Sequence, residues 1–168
     1  MPTTDDAEFV AFVRQHGRAL ARTATLIAGD PTAGEDLLQT ALAQTYARWR
    51  GKDDIEDLEQ YVRVVLVRAH ISWRRRMSST EHVVDLAPTE EPQPDIADRM
   101  VDRGVLLGAL RQLPPKQRAT LVLRFFDDLS EADTAKALGC STGSVKQHST
   151  RGLAKLRALL GDQVPAAL

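Results

Sequence analysis

Between Thr142 and Leu160 the side chains of Ser144, Lys146, Gln147, His148, Thr150 and Arg151 gather near the start of an expected helix. Lys and Arg pair with guanine acceptors, Gln pairs with adenine, and Ser or Thr bonds to bases or phosphates. The set therefore has the chemistry of base reading in a major groove. The plainer alternative is a solvated polar face on an ordinary helical hairpin. A second set, Arg63, Arg68, Arg74, Arg75 and Arg76, falls in a stretch free of carboxylates. Three arginines at a helix end can simply complement the macrodipole, at about 0.3–1 kcal/mol per charge. Adding Arg63 and Arg68 on the same helix favours a surface that faces phosphate. Trp73 and Tyr61 have the rings to stack on unpaired bases, although a buried role is favoured for each.

Other chemistry lacks its residues. His16, His70, His82 and His148 are scattered without ligand spacing, and Cys140 is the single cysteine, so no metal site and no disulfide is expected. No glycine-rich phosphate loop and no convincing nucleophile, base and acid set occurs, so neither catalysis nor a cofactor is expected. One cysteine asks for no oxidising compartment. The start, MPTTDDAEFV, is acidic where a signal peptide is basic, and no apolar run approaches about 20 residues. A cytoplasmic protein with no membrane insertion is expected.

The formal net charge of −1 argues at first against nucleic acid, because attraction to phosphate supplies much of such affinity. Its distribution reverses the argument. The arginine stretch and a second island, Lys146, Arg151, Lys155 and Arg157, stand in an otherwise acidic chain and present locally positive faces.

These residues need elements to carry them. With 43% hydrophobic, 27% charged and 5% aromatic residues, and with Ala, Leu and Arg abundant, the 168-residue chain is expected to fold as an all-helical protein. Apolar residues at Phe9, Val10, Val13, Leu20, Ala24 and Ile27 predict a first helix ending near Gly29. Asp30 and Pro31 supply a cap and a first-turn proline for a second helix, which runs through Leu37, Leu38, Ala41, Leu42, Tyr46 and Trp49 to a stop at Gly51. Leu58, Tyr61, Val62, Val65, Leu66, Ala69 and Trp73 mark a third helix that runs into the arginines. Residues 77–95, acidic and holding three prolines, read as a mobile linker between a domain at 6–76 and another at 96–161. As a coil of roughly 20 residues it spans about 25 Å, and up to about 60 Å if extended.

In the second domain a helix is expected from Ile96 to Gln112, with Val101, Val105, Leu106 and Leu110 inward. Another follows from Lys116 to Phe126. Ser130 with Asp133 resembles a capping box opening a short helix that ends at Leu138 and Gly139. The longer helix from about Thr142 follows. Short helix, glycine turn and longer helix make a helix-turn-helix, whose core Ala135, Leu138, Val145, Leu153 and Leu156 can close.

Two segments in this order resemble a known family. GEDLLQTALAQTYARW is similar to region 2 of the extracytoplasmic-function sigma factors of bacterial RNA polymerase, within the sigma-70 family. LPPKQRATLVLRFFDDLSEADTAKALGCSTGSVKQHSTRGLAKLR is similar to their region 4. The resemblance covers about Glu8 to Leu160 apart from the linker. Region 4 alone is shared in outline by other helix-turn-helix regulators, and region 2 ahead of it discriminates.

The resemblance implies that Asp36, Leu37, Gln39 and Thr40 dock on core RNA polymerase. It implies that Arg63, Arg68, Trp73, Arg74 and Arg75 serve the minus-ten element, where a flipped base is captured at a cost of a few kcal/mol. It assigns the minus-thirty-five element to Ser144, Lys146, Gln147, His148, Thr150 and Arg151, with Lys146, Gln147 and Arg151 foremost. Promoter DNA and an anti-sigma factor are the further partners it implies. Arg68 and Ser72 stand where many members carry Asn and then Asp or Asn, and His148 stands where an Arg is usual. Trp73 before three arginines resembles an actinobacterial, SigE-like subgroup. Two rival readings remain: a conventional helix-turn-helix regulator that binds a duplex alone, and a sigma-like protein that binds polymerase without opening promoters.

Overall fold

The computed structural model describes residues 3–50, 55–79 and 103–168, and among them the ordered segments are helical, with no strand. The first helix, α1 (Thr4–Ala28), opens on a capping box in which the Thr3 side chain accepts from the Asp6 amide and the Asp6 carboxylate from the Thr3 amide. It ends where Gly29 takes φ +78°, a left-handed conformation that favours glycine. The Asp30 carboxylate then accepts from the Ala33 amide at 2.8 Å and starts α2 (Pro31–Arg50), as the Asp-Pro pair predicted. Helix α3 (Leu58–Ser79) continues three residues past the expected boundary at 76. The rest of the expected linker, and the expected helical start at residues 96–102, lie outside the described residues, as do residues 51–54.

The start of α1 is pinned to the end of α2. The Tyr46 hydroxyl donates to the Asp6 carboxylate at 2.6 Å and the Trp49 indole to the Asp5 carbonyl at 3.1 Å, with Phe9 between the two rings. The Tyr46 hydrogen bond, first among its neighbours, holds Asp6 below the usual carboxylate range. Leu20, Ala24, Ala41, Val62 and Leu66 fill the space between α1, α2 and α3.

The carboxy-terminal part packs α4 (Arg103–Arg111), α5 (Pro115–Leu121), α6 (Glu131–Leu138) and α7 (Thr142–Leu160) around Leu110, Leu121, Leu138, Val145 and Leu156. Two details differ from the sequence pattern. Val105, expected inward, is exposed, whereas Leu110 is fully buried. The helix expected to run on to Phe126 instead widens into a π turn (Val122–Phe126), in which the Asp127 amide bonds to the Val122 carbonyl five residues back. Asp128, at φ +53°, then reverses the chain.

Among the described residues the helices bury two apolar clusters, and the larger crosses from the carboxy-terminal helices to α1 and α3. Leu26 and Ile27 of α1 and Val67 of α3 belong to the same buried cluster as Leu110, Leu121 and Leu138. The three amino-terminal helices and the carboxy-terminal helices are therefore docked on each other through continuous apolar packing.

Candidate nucleic-acid interface

The helix-turn-helix forms as the sequence pattern requires. The Ser130 hydroxyl accepts from the Asp133 amide at 3.0 Å to open α6, and Gly139 closes it at φ +64°. Ser141 opens α7 by accepting from the Ser144 amide at 3.1 Å. Ala135, Leu138, Val145 and Leu156 are buried between the helices, with Leu153 partly so. Gly152 lets α7 lie against α5, since a Cβ there would meet Leu121 at 3.2 Å.

This packing leaves Lys146, Gln147, Thr150 and Arg151 exposed together on the outer side of α7. Lys146 is 3.8 Å from Glu131, an exposed pair of the kind worth about 0–1 kcal/mol, so its ammonium is available to another partner. The Thr150 hydroxyl bonds to the Lys146 carbonyl of its own helix, and the Ser144 hydroxyl lies 3.0 Å from that of Ser141. His148 is turned partly inward. Burial, then the charges of Lys116 and Arg151, lower its pKa, so at neutral pH it offers a neutral ring.

The residues of the amino-terminal helices divide into two places. Asp36, Gln39 and Thr40 are exposed along α2, with Leu37 partly buried. Asp36, Leu37 and Thr40 share a groove of about 520 Å³ with Arg68, His70, Trp73 and Arg76 of α3. Three residues expected to serve polymerase, Asp36, Leu37 and Thr40, thus meet two expected to serve the minus-ten element, Arg68 and Trp73, in one depression. Trp73 is 44% exposed at its rim, which corrects the expectation that it is buried. Its position follows from the register of α3: Val62, Leu66, Val67 and His70 take the inward positions. Tyr61, for which a buried role was also favoured, is half-buried, with the Arg48 guanidinium 5.7 Å from its ring centre. Arg74 and Arg75 are exposed beyond Trp73.

Arg63 lies elsewhere, beneath the carboxy-terminal part. Its guanidinium donates to Glu59 at 2.6 Å and to Asp127 at 3.3 Å, and its side chain is only 14% exposed. The Asp127 side chain is 2% exposed and also accepts from the Thr23 hydroxyl at 2.8 Å. Burial raises the Asp127 pKa, against the opposing pull of Thr23 and Arg63. A second contact joins the two parts at His70, whose Nε2 lies 3.2 Å from an Arg118 nitrogen. A third is Arg111, which donates twice to the Gly29 carbonyl.

Asp127, Thr23, His70, Arg111 and Arg118 were not legible as site residues. The spacing of His70 from Leu66 and Val67 was the one usable signal, since it places the imidazole on the buried side of α3. Asp127 gave no such signal, because it follows an apolar helical run and nothing in the sequence marks a π turn.

The Asp127 contact has a measurable value. Asp127→Ala leaves the Arg63 and Thr23 donors short of an acceptor and is expected to cost about 1–3 kcal/mol. That is a fall of about 2–4 °C in melting temperature per kcal/mol for a chain of this size. A double-mutant cycle with Arg63→Ala is expected to show coupling of about 0.5–3 kcal/mol. Additive single effects would mean that the two side chains do not interact.

A helix-turn-helix with an exposed cationic face, carried beside a helical group whose own arginines line a groove, defines a DNA-binding transcription protein. Residues 103–156 match the family described as Sigma-70, region 4. Over 150 residues the chain is 40% identical to the RNA polymerase sigma-E factor of Streptomyces coelicolor, a similarity covering 89% of this chain and 84% of that protein. It is 31% identical over 163 residues to the ECF RNA polymerase sigma factor SigM of Mycobacterium tuberculosis, covering 94% of this chain and 79% of that one. Its fold is similar, at TM-score 0.74 and 23% identity, to the sigma factor RpoE of Bartonella quintana solved in complex with the anti-sigma factor NepR, covering 91% and 96% of the two chains. The chain belongs to the extracytoplasmic-function family of RNA polymerase sigma factors, with similarity to the actinobacterial SigE group. Sigma factors are not enzymes. No helix of the described residues is long and apolar enough to cross a membrane.

Proposed function

We propose that this protein binds core RNA polymerase in the cytoplasm and directs promoter-specific initiation of transcription, without catalysing a reaction itself. Residues 6–76 are the module for polymerase and the minus-ten element, and residues 96–161 the module for the minus-thirty-five element. Asp36, Leu37, Gln39 and Thr40 meet polymerase. Arg68, Trp73, Arg74 and Arg75 act on the opening minus-ten duplex, and Arg63 joins them when it is released from Asp127. Lys146, Gln147 and Arg151 read the minus-thirty-five duplex, supported by Ser144, His148 and Thr150. An anti-sigma factor is a further partner.

The carrying observation is the exposed cationic face of α7, held at the start of the second helix of a helix-turn-helix. Similarity that extends across 89% of the chain to a sigma factor favours this reading over a conventional regulator, which shares only the carboxy-terminal part. Run-off transcription with purified core polymerase, this protein and a promoter library tests it. Start-site-specific transcripts that need all three components support the reading. Polymerase binding without transcripts, or no polymerase binding, overturns it in favour of one or other rival.

Asp36→Ala with Gln39→Ala is expected to weaken binding to core polymerase about tenfold or more, which corresponds to at least about 1.4 kcal/mol. Both side chains are exposed, so folding stability is expected to move by no more than about 0.5 kcal/mol. Titration of labelled protein with polymerase measures the first and thermal denaturation the second. Unchanged polymerase affinity would remove α2 from the interface.

A further inference from the structure

Among the described residues, the contact between the carboxy-terminal helices and α3 is built around a cation without a counter-ion. Arg118 of α5 is 2% exposed, yet among the described residues it has no carboxylate partner. Its terminal nitrogens reach the Leu110 and Arg111 carbonyls at 3.5 and 3.4 Å and the His70 ring at 3.2 Å, and its Nε bonds to none of the described residues. The charges around it are of the same sign: Arg111 on α4 and Arg74 on α3 both act on it. A guanidinium has only donors, so the His70 Nε2 must be the acceptor, and the ring must be neutral with its proton on Nδ1. A protonated His70 would lose that acceptor and set two cations against each other at a buried contact.

We propose that His70 and Arg118 form an acid-released latch, in which protonation of His70 frees the carboxy-terminal helices from α1 and α3. The groups that face His70 support this direction. Arg118 of α5 and Arg74 of its own helix oppose its charge, and Arg111 of α4 stands behind Arg118. Arg68 and Arg76 line the same groove, and Asp36 of α2 is the carboxylate there. At the nearby end of α1 the approach is by backbone, since the Gly29 carbonyl is taken by Arg111 and a Cβ at Gly29 would lie 3.2 Å from Arg118. The apolar packing of Leu26, Ile27 and Val67 holds the parts together while the ring is neutral.

Burial, followed by Arg118 and Arg74, lowers the His70 pKa from 6.5 to about 4. In the docked form the ring stays neutral over that window, whereas once released it takes up a proton. The contribution of this contact to docking is full above pH 6.5 and is lost as pH falls toward about 4. Asp127 works in the opposite sense. Its raised pKa favours docking as it protonates, and Arg63, Arg22 and Thr23 face it.

The release goes beyond promoter recognition and can be read without polymerase. Small-angle X-ray scattering on the full chain would follow the radius of gyration, about 15 Å for a compact chain of this length, from about pH 7.5 to about pH 5. Far-ultraviolet circular dichroism would follow helix content in parallel. In the wild type the ratio of released to docked forms is expected to rise by up to about tenfold per pH unit while helix content holds. His70→Gln, which keeps an acceptor and does not titrate, is expected to stay compact throughout. Asp127→Asn, which removes the opposing titration, is expected to release at a higher pH than the wild type. A wild type that stays compact to about pH 5, helix loss together with expansion, or a His70→Gln chain that expands like the wild type would each overturn the latch. The His70 ring resonances of the wild type give a second reading: a titration midpoint at or above the ordinary value would overturn it even if the variants failed to fold.

Discussion

Alanine at both Lys146 and Arg151 is expected to abolish start-site selection at the promoter of this factor while leaving its fold intact. Both side chains are exposed on α7, Lys146 near its start and Arg151 about halfway along, and the start of such a helix is what enters a major groove. A bidentate contact from Lys or Arg to guanine is worth about 1–3 kcal/mol, so the pair carries about 2–6 kcal/mol. Binding to the minus-thirty-five duplex should fall roughly 30-fold to 20,000-fold. Within the protein the substitutions break the weak exposed pair of Lys146 with Glu131 at 3.8 Å, so the melting temperature should scarcely move. Run-off transcripts report the loss of selection, and a binding isotherm at several salt concentrations reports its origin. A residue that reads a base penalises one sequence. A residue that only meets phosphate weakens all sequences alike and lowers the salt slope by about 0.9. Promoter choice that survives the double substitution would remove α7 as the reader.

Gly34→Ala should give the largest loss of stability for a change of one methyl group. Gly34 is where α2 crosses α1, and a Cβ there would lie 2.6 Å from the Thr25 Cα and 2.8 Å from its amide nitrogen. Those are backbone atoms of a neighbouring helix and cannot turn aside as a side-chain tip can. Elsewhere in a helix the same change would stabilise by about 1 kcal/mol, because alanine has the better propensity. Here overpacking reverses the sign, at about 1–3 kcal/mol, and forces the two helices apart. The end of α1 would move with them, and Leu26 and Ile27 from that end sit in the core shared with the carboxy-terminal helices. Thermal denaturation is expected to show a lower melting temperature, and a rise would mean that α1 and α2 do not approach so closely. Gly108→Ala is the control. Among the described residues nothing beyond its own stretch of helix lies within 4 Å of a Cβ at Gly108, so the propensity gain should appear there unopposed.

The outward placement of the α7 residues was legible in the sequence. Lys146, Gln147 and Arg151 are near one another along the chain and flanked by Gly139, Ser141 and Val145, so local rules of turn, cap and helical period place them. Asp30 and Ser130 cap helices as read, because a cap is an interaction between residues three apart. Trp73 escaped the same rules. The apolar stripe of α3 is broad, and which of Ala69, His70 and Trp73 faces inward depends on where the carboxy-terminal helices press. The Arg63 environment escaped for a similar reason, since Glu59 is four residues away but Asp127 is 64.

The sequence by itself determined the helical class, the helix-turn-helix with its outward residues and the arginine-rich third helix, all set by periodicity and capping within a few residues. The tertiary structure alone decided that the two parts share a core, that Asp127 emerges from a π turn to meet Thr23 and Arg63, and that Arg118 is buried against His70. The physical reason is range. Helix propensity and capping act between neighbours, whereas burial and charge pairing are set by whichever distant segment supplies the other surface.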